Sequence, residues 1–170
     1  NIKLKMIQPV NQNILFGYSR YFQEFKELYE KNKLPNCILL SGEKGLGKST
    51  FAFHFINFLL SSDSKNEYIF DNFEINQSSK THTLIKSNTH PNFFLIDNNI
   101  EDDEIKIEQT RNLLKFLSKS TYSRDQKIVL IDNLENLNIN SSNSILKAIE
   151  EPNKNTFFFI ISDSSRKVLE

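Results

Sequence analysis

The residues Gly42-Glu43-Lys44-Gly45-Leu46-Gly47-Lys48-Ser49 match the pattern G-x-x-x-x-G-K-[ST] in full. The chemistry of that pattern is phosphate binding. Its glycines let successive backbone N–H groups turn inward around phosphate oxygens, and the N-terminus of the following helix adds partial positive charge. Lys48 then reaches the β- and γ-phosphates as a point charge, and the Ser49 hydroxyl ligates Mg²⁺. Only four Gly occur in 170 residues, and three of them fall in this stretch. A Gly-rich turn between strand and helix explains one glycine but not the Lys-Ser pair.

The second half of such a site is an acidic residue at the end of another strand. Ile128-Val129-Leu130-Ile131-Asp132 supplies one, with Asp132 placed to hold Mg²⁺ through water. Alone, an Asp after a buried strand is a common turn residue; beside a phosphate loop it reads as chemistry. The acidic cluster Glu101-Asp102-Asp103-Glu104 reads as a solvated loop before a helix. His54 lies within an apolar helix and is expected to pack there, while His82 and His90 fall in a polar excursion. With Cys37 as the sole Cys and no repeated ligand spacing, neither a disulfide nor a zinc site is predicted.

The elements that must position these residues alternate between helix and strand. Tyr21, Phe22, Phe25, Leu28 and Tyr29 recur at helical spacing over Ser19 to Asn32, with Ser19 as N-cap. Cys37 to Leu40 reads as a buried strand. Ser49 to Leu60 reads as a helix apolar on nearly every side, hence buried on more than one face. Residues 61 to 90 are Ser-, Asn- and Lys-rich with the weakest periodicity, holding a short strand over Tyr68 to Phe70. Further strands are predicted over Phe93 to Ile96, Ile128 to Ile131 and Phe157 to Ile161. Helices are predicted over Ile107 to Ser118 and over Asn140 to Glu150, the latter stopped by Pro152. Near-continuous apolar strands separated by helices indicate an α/β domain with a mostly parallel sheet, whose ligands gather at the carboxyl ends of the strands.

Composition bounds the reading. Length and an apolar fraction of 38% fit one globular domain. With 21 basic and 21 acidic side chains, the formal net charge of zero argues against a freestanding electrostatic nucleic-acid binder. The longest wholly apolar run, Phe157 to Ile161, is far short of the roughly 20 residues of a membrane span. A reducing cytosol is the expected home, with no membrane partner.

Beyond these residues the chain resembles a family. Asp132-Asn133-Leu134-Glu135-Asn136-Leu137-Asn138, followed by Asn143-Ser144-Ile145-Leu146-Lys147-Ala148-Ile149-Glu150-Glu151-Pro152, is similar to the clamp-loader subunits of bacterial DNA polymerase III, nearest the delta-prime type. Leu34 to Leu40 and His90-Pro91-Asn92 add to the likeness, which runs from about Ile14 to the end. The resemblance implies a P-loop NTPase domain of the AAA+, RecA-like kind, its mostly parallel sheet flanked by helices. It further implies a hetero-oligomeric ring with other clamp-loader subunits, which opens the sliding clamp and places it on primed DNA near the nucleoid. Carried over residue by residue, Gly42 to Thr50 bind ATP, Ser49 and Asp132 serve Mg²⁺, and Ser162 takes the polar sensor position. Leu15, Phe16 and Gly17 then lie near the base.

Three departures accompany the likeness. Hydrolytic members carry Glu directly after the Asp at the end of the strand, whereas this chain has Asn133, and an amide is no general base. Glu135 substitutes only if the backbone re-aims it. The four-cysteine zinc module that many members carry after the phosphate loop has no counterpart in residues 61 to 90. The lid and collar domains, and the Ser-Arg-Cys motif before them, are expected beyond residue 170, so residues 1 to 170 read as a fragment holding the N-terminal nucleotide-binding domain. Two other readings stand beside an ATP-responsive subunit: a non-hydrolysing stator of the same complex, and another AAA+ DNA-processing ATPase. A small-molecule P-loop kinase is disfavoured, because only four Arg exist and none is near the loop in sequence.

Overall fold

The structure is a computed structural model that describes residues 7–61, 67–97, 107–119, 126–133, 139–153 and 155–164. In chain order, a 3-10 turn at Pro9–Asn11 precedes α1 (Ser19–Glu30), β1 (Cys37–Gly42) and α2 (Lys48–Leu60). Then come β2 (Tyr68–Ile69), β3 (Glu74–Ile75), α3 (Lys80–Lys86) and β4 (Phe93–Ile96). The chain continues through α4 (Ile107–Ser118), β5 (Lys127–Ile131), α5 (Ile139–Glu150) and β6 (Thr156–Asp163). These elements divide into two compact units, one of residues 1–33 and 49–89, the other of residues 34–48 and 90–170.

The second unit is built on a four-stranded sheet in the order β1-β6-β5-β4. Every neighbouring pair in it is parallel, as the near-continuous apolar runs predict. The register aligns Leu39 with Ile160, Ile160 with Ile131, and Ile131 with Ile96. Alternate residues on one face (Ile96, Val129, Ile131, Phe158 and Ile160) pack with Leu113 and Leu117 of α4 and Ile145 of α5. All five residues of β5 are buried. Each fully buried Ile, Val or Phe contributes roughly 1.5–3 kcal/mol of transfer free energy, so this layer fixes where the strand ends lie. Leu114 of α4 is 40% exposed. Its neighbours at helical spacing, Thr110, Leu113 and Leu117, take the core-facing stripe instead.

Lys127, the first residue of β5, is buried and closes α4. Its ammonium donates to Phe116 O at 2.8 Å, to Leu117 O at 3.1 Å and to Lys119 O. Those carbonyls belong to the end of α4, where four C=O groups lack helical partners and a cation is favoured.

The first unit is an aromatic core around Phe22. Its ring stacks on Tyr68 at 4.9 Å and meets Phe55 edge-on at 5.1 Å, arrangements that add about 0.5–1.5 kcal/mol per pair beyond area burial. Residues 51 to 57 of α2 are all buried, as expected of a helix apolar on every side. His54 is packed among them. Its Nε2–H donates to Gln12 O at 2.9 Å, and its Nδ1, 3.0 Å from Tyr68 Oη, accepts the phenol proton. Burial lowers its pKa from 6.5 to about 4, so the ring is neutral.

The polar excursion is more ordered than its sequence suggests. β2 and β3 form a two-residue antiparallel pair, joined to the lead-in by a bridge between Ile14 and Glu74. α3 follows, capped by the Ser79 hydroxyl, which accepts from His82 N–H at 3.2 Å. Ser19 differs from expectation: α1 begins at it, Tyr18 occupies the N-cap, and no side-chain cap bond forms.

Candidate nucleotide-binding site

β1 delivers the chain to the phosphate loop at the carboxyl edge of the sheet, where Gly42 pairs with Asp163 of β6. The loop closes on itself through its lysine. Lys48 Nζ donates to Gly42 O and to Glu43 O, both at 2.6 Å, so the ammonium is drawn inside the turn. Gly42 O also accepts from Ser164 N–H at 3.2 Å, which ties the end of β6 to the start of the loop. Gly45 and Gly47 have φ of 91° and 82°, a region that costs other L-residues roughly 1–2 kcal/mol. A Cβ added at Gly42 would meet Leu46 Cδ1 in ordinary contact at 3.4 Å and one at Gly45 would meet nothing within 4 Å, so it is the backbone conformation and not lack of space that calls for glycine here.

α2 begins at Lys48, so Ser49 and Thr50 lie in its first turn, at the positive end of the helix dipole. Loop glycines, an inward lysine and a helix N-terminus together fit a polyphosphate. Leu46, at the tip, is 55% exposed.

Asp132 follows β5 and is half-buried, and its N–H donates to Ile96 O at 2.9 Å. It lies two strands from β1 in the sheet order, about 10 Å away laterally at normal strand spacing. Ser162 lies in β6 opposite Ser41 and is buried. One unit therefore holds Gly42 to Lys48, Asp132 and Ser162 at the carboxyl ends of parallel strands. Asp163 lies in the last position of β6, which runs two residues beyond the Phe157 to Ile161 strand predicted from the apolar run. It is buried beside Gly42, and its sequence signal is a carboxylate two residues past an apolar run, one further along than Asp132. In the other unit Leu15 is core, its N–H donating to Phe73 O at 3.0 Å, whereas Phe16 is 70% exposed. Glu135 and the cluster at 101–104 lie outside the described residues. Among the described residues, no group of three or more His, Cys, Asp or Glu is placed to share a metal ion, and no helix is long and apolar enough to cross a membrane.

A parallel α/β sheet with a phosphate loop between its first strand and the following helix defines a fold of the P-loop NTPase class. Within that class the chain belongs to the family described as DNA polymerase III, delta subunit, whose profile matches residues 17–170. The likeness to delta-prime subunits read from the sequence is borne out. Three relatives each named DNA polymerase III subunit delta′ illustrate it. The Pseudomonas aeruginosa protein is 28% identical over 79% of this chain and 39% of its own length. The Bacillus subtilis protein is 27% identical over 83% of this chain and 40% of its own. A Buchnera aphidicola protein is 29% identical over 81% and 41%. The chain thus spans about two-fifths of these relatives. A crystal structure of a DNA polymerase III gamma subunit-related protein from Thermotoga maritima shares the fold. Its TM-score is 0.53 at 17% identity, over 86% of this chain and 38% of that one.

Proposed function

We propose that residues 1–170 are the N-terminal nucleotide-binding domain of a delta-prime-type clamp-loader subunit. The domain binds ATP with Mg²⁺ and works in a hetero-oligomeric ring with other clamp-loader subunits. That ring engages the sliding clamp and primed DNA, in the cytoplasm at the nucleoid. The observation that carries the proposal is the loop itself: Lys48 is drawn inward by Gly42 O and Glu43 O, with Gly45 and Gly47 in left-handed conformations. In this reading the N–H groups of Gly42 to Thr50 and the Lys48 ammonium hold the phosphates. The Ser49 hydroxyl holds Mg²⁺ directly and Asp132 holds it through water, while Ser162 senses the γ-phosphate. On the resemblance alone, Leu15, Phe16 and Gly17 are assigned to the base. Bound Mg²⁺ would neutralise phosphate charge.

Asn133 favours a second reading, a non-hydrolysing stator of the same complex, because no carboxylate follows Asp132 directly. Calorimetric titration with ATP and Mg²⁺ separates the two. A nucleotide-binding subunit gives a saturable isotherm that Lys48→Ala weakens at least tenfold, since a charge-assisted phosphate contact is lost. A flat titration for the unaltered protein leaves only the stator.

A further inference from the structure

The turn after Asp132 has a backbone conformation that the loss of a catalytic carboxylate does not by itself explain. The hydrogen bond from Asp132 N–H to Ile96 O is the last rung of the parallel ladder between β4 and β5, closing the Ile131–Ile96 pair. Asn133 then has φ 63°, the left-handed region that Asn and Gly enter readily and Glu does not. The Asp132 backbone is therefore held by a ladder bond on one side and by an abrupt turn on the other. Asn32, Asn88 and Asn155 are also left-handed. This chain, with four Gly and 21 Asn, repeatedly uses Asn where the backbone must turn that way.

We propose that Asn133 is a positioning residue for Asp132, acting through its left-handed backbone and not through its amide. A Glu at this position then has to strain or unwind the turn that sets Asp132, so it does not supply the water-activating carboxylate of hydrolytic relatives. The inference rests on reading Asp132 as a Mg²⁺ residue; the conformation of Asn133 is what it adds.

The test uses Asn133→Gly, Asn133→Ala and Asn133→Glu in the full-length protein. ATP affinity is measured by calorimetry in Mg²⁺ and in chelator, the ratio giving the gain due to the metal, alongside phosphate release and thermal unfolding. Asn133→Gly should keep that gain within twofold, with an unchanged or higher Tm. Asn133→Ala and Asn133→Glu should each lose about tenfold of the gain, the penalty expected of a strained left-handed residue. Their affinity in chelator should stay within twofold, and their Tm should fall by about 3 °C. Asn133→Glu should release phosphate no faster than the unaltered protein. Loss of the gain in Asn133→Gly assigns the effect to the amide and overturns the proposal. So does Asn133→Glu turnover tenfold above the unaltered protein that Asp132→Asn abolishes. If the unaltered protein gains nothing from Mg²⁺, the Asp132 assignment fails and this proposal with it. The Tm order of the variants reports on the left-handed turn separately.

Discussion

His54 shows what a single buried group contributes. It spends both ring nitrogens on neighbours, Gln12 O and Tyr68 Oη, and has no solvent exposure. Burial is the main cause of its low pKa, and the nearby His82 adds to it. The sign follows from linkage. Above pH 6.5 both folded and unfolded chains hold the ring neutral, so nothing is lost. Between 6.5 and about 4 the unfolded chain takes up a proton that the folded chain refuses, so stability falls with pH. The full loss is about 3 kcal/mol at 1.36 kcal/mol per unit. His82, whose pKa burial and then Lys86 also lower, acts in the same direction. Urea midpoints at pH 7.5 and 5.0 should therefore differ more for the native chain than for His54→Gln, which keeps an Nε donor but does not titrate. Equal differences would show that other groups set the acid sensitivity. Packing of His54 was legible from its apolar surroundings. The acceptor on Gln12, 42 residues away, was not, because nothing local in sequence announces a long-range hydrogen bond. Lys127 was illegible for the same reason: it looked like an ordinary charged residue before a strand.

Helix ends show the same limit one scale up. Periodicity located α1, α2, α4 and α5 because each carries apolar residues at helical spacing. It missed α3, whose seven residues are too few for two full turns. What stops α1 and α3 is a Schellman motif closed by Asn rather than Gly. Lys33 N–H donates to Leu28 O at 2.7 Å and Asn32 N–H to Tyr29 O at 2.9 Å. Thr89 N–H to Leu84 O and Asn88 N–H to Ile85 O, at 2.9 and 3.0 Å, repeat the arrangement. The Asn abundance of the sequence thus has a structural use at these positions, whatever its origin. Asn tolerates the left-handed region less well than Gly. Asn88→Gly should therefore stabilise by about 0.5 kcal/mol and Asn88→Ala destabilise by about 1 kcal/mol. Differential scanning calorimetry should place the two variants on opposite sides of the native Tm, a few degrees apart. Two variants melting together would remove the left-handed cap from the account of α3.

At the scale of the whole molecule, the parallel sheet and the placement of the candidate site at its strand ends were legible, and the grouping of the other elements was not. The phosphate loop has a fixed spacing because phosphate geometry is fixed, and strand-end residues follow from parallel sheet topology. The grouping of residues 49–89 with the N-terminal segment has no such local rule. Charge is the remaining global property, and it bears on how a family named for a DNA polymerase meets DNA. Phosphate contacts supply most non-specific affinity by releasing counterions, and a protein making 6–10 of them is typically strongly basic on one face. This chain has 21 cations against 21 anions, and 17 of those cations are Lys, which lack the bidentate fork of Arg. Three basic groups on or just after α1 are already paired with its carboxylates: Arg20 with Glu24, Lys26 with Glu30 and Lys31 with Glu27. Residues 1–170 alone should therefore bind a primed duplex no tighter than about 10 μM at physiological salt, within the usual non-specific range of about 10⁻⁴–10⁻⁶ M. Fluorescence anisotropy with a labelled primed duplex, repeated across salt concentrations, measures this directly. Submicromolar binding with a steep salt slope would mean that a basic face exists which the balanced composition conceals. Weak binding with a shallow slope would mean that residues 1–170 carry no basic face of their own and that any grip on DNA lies outside them.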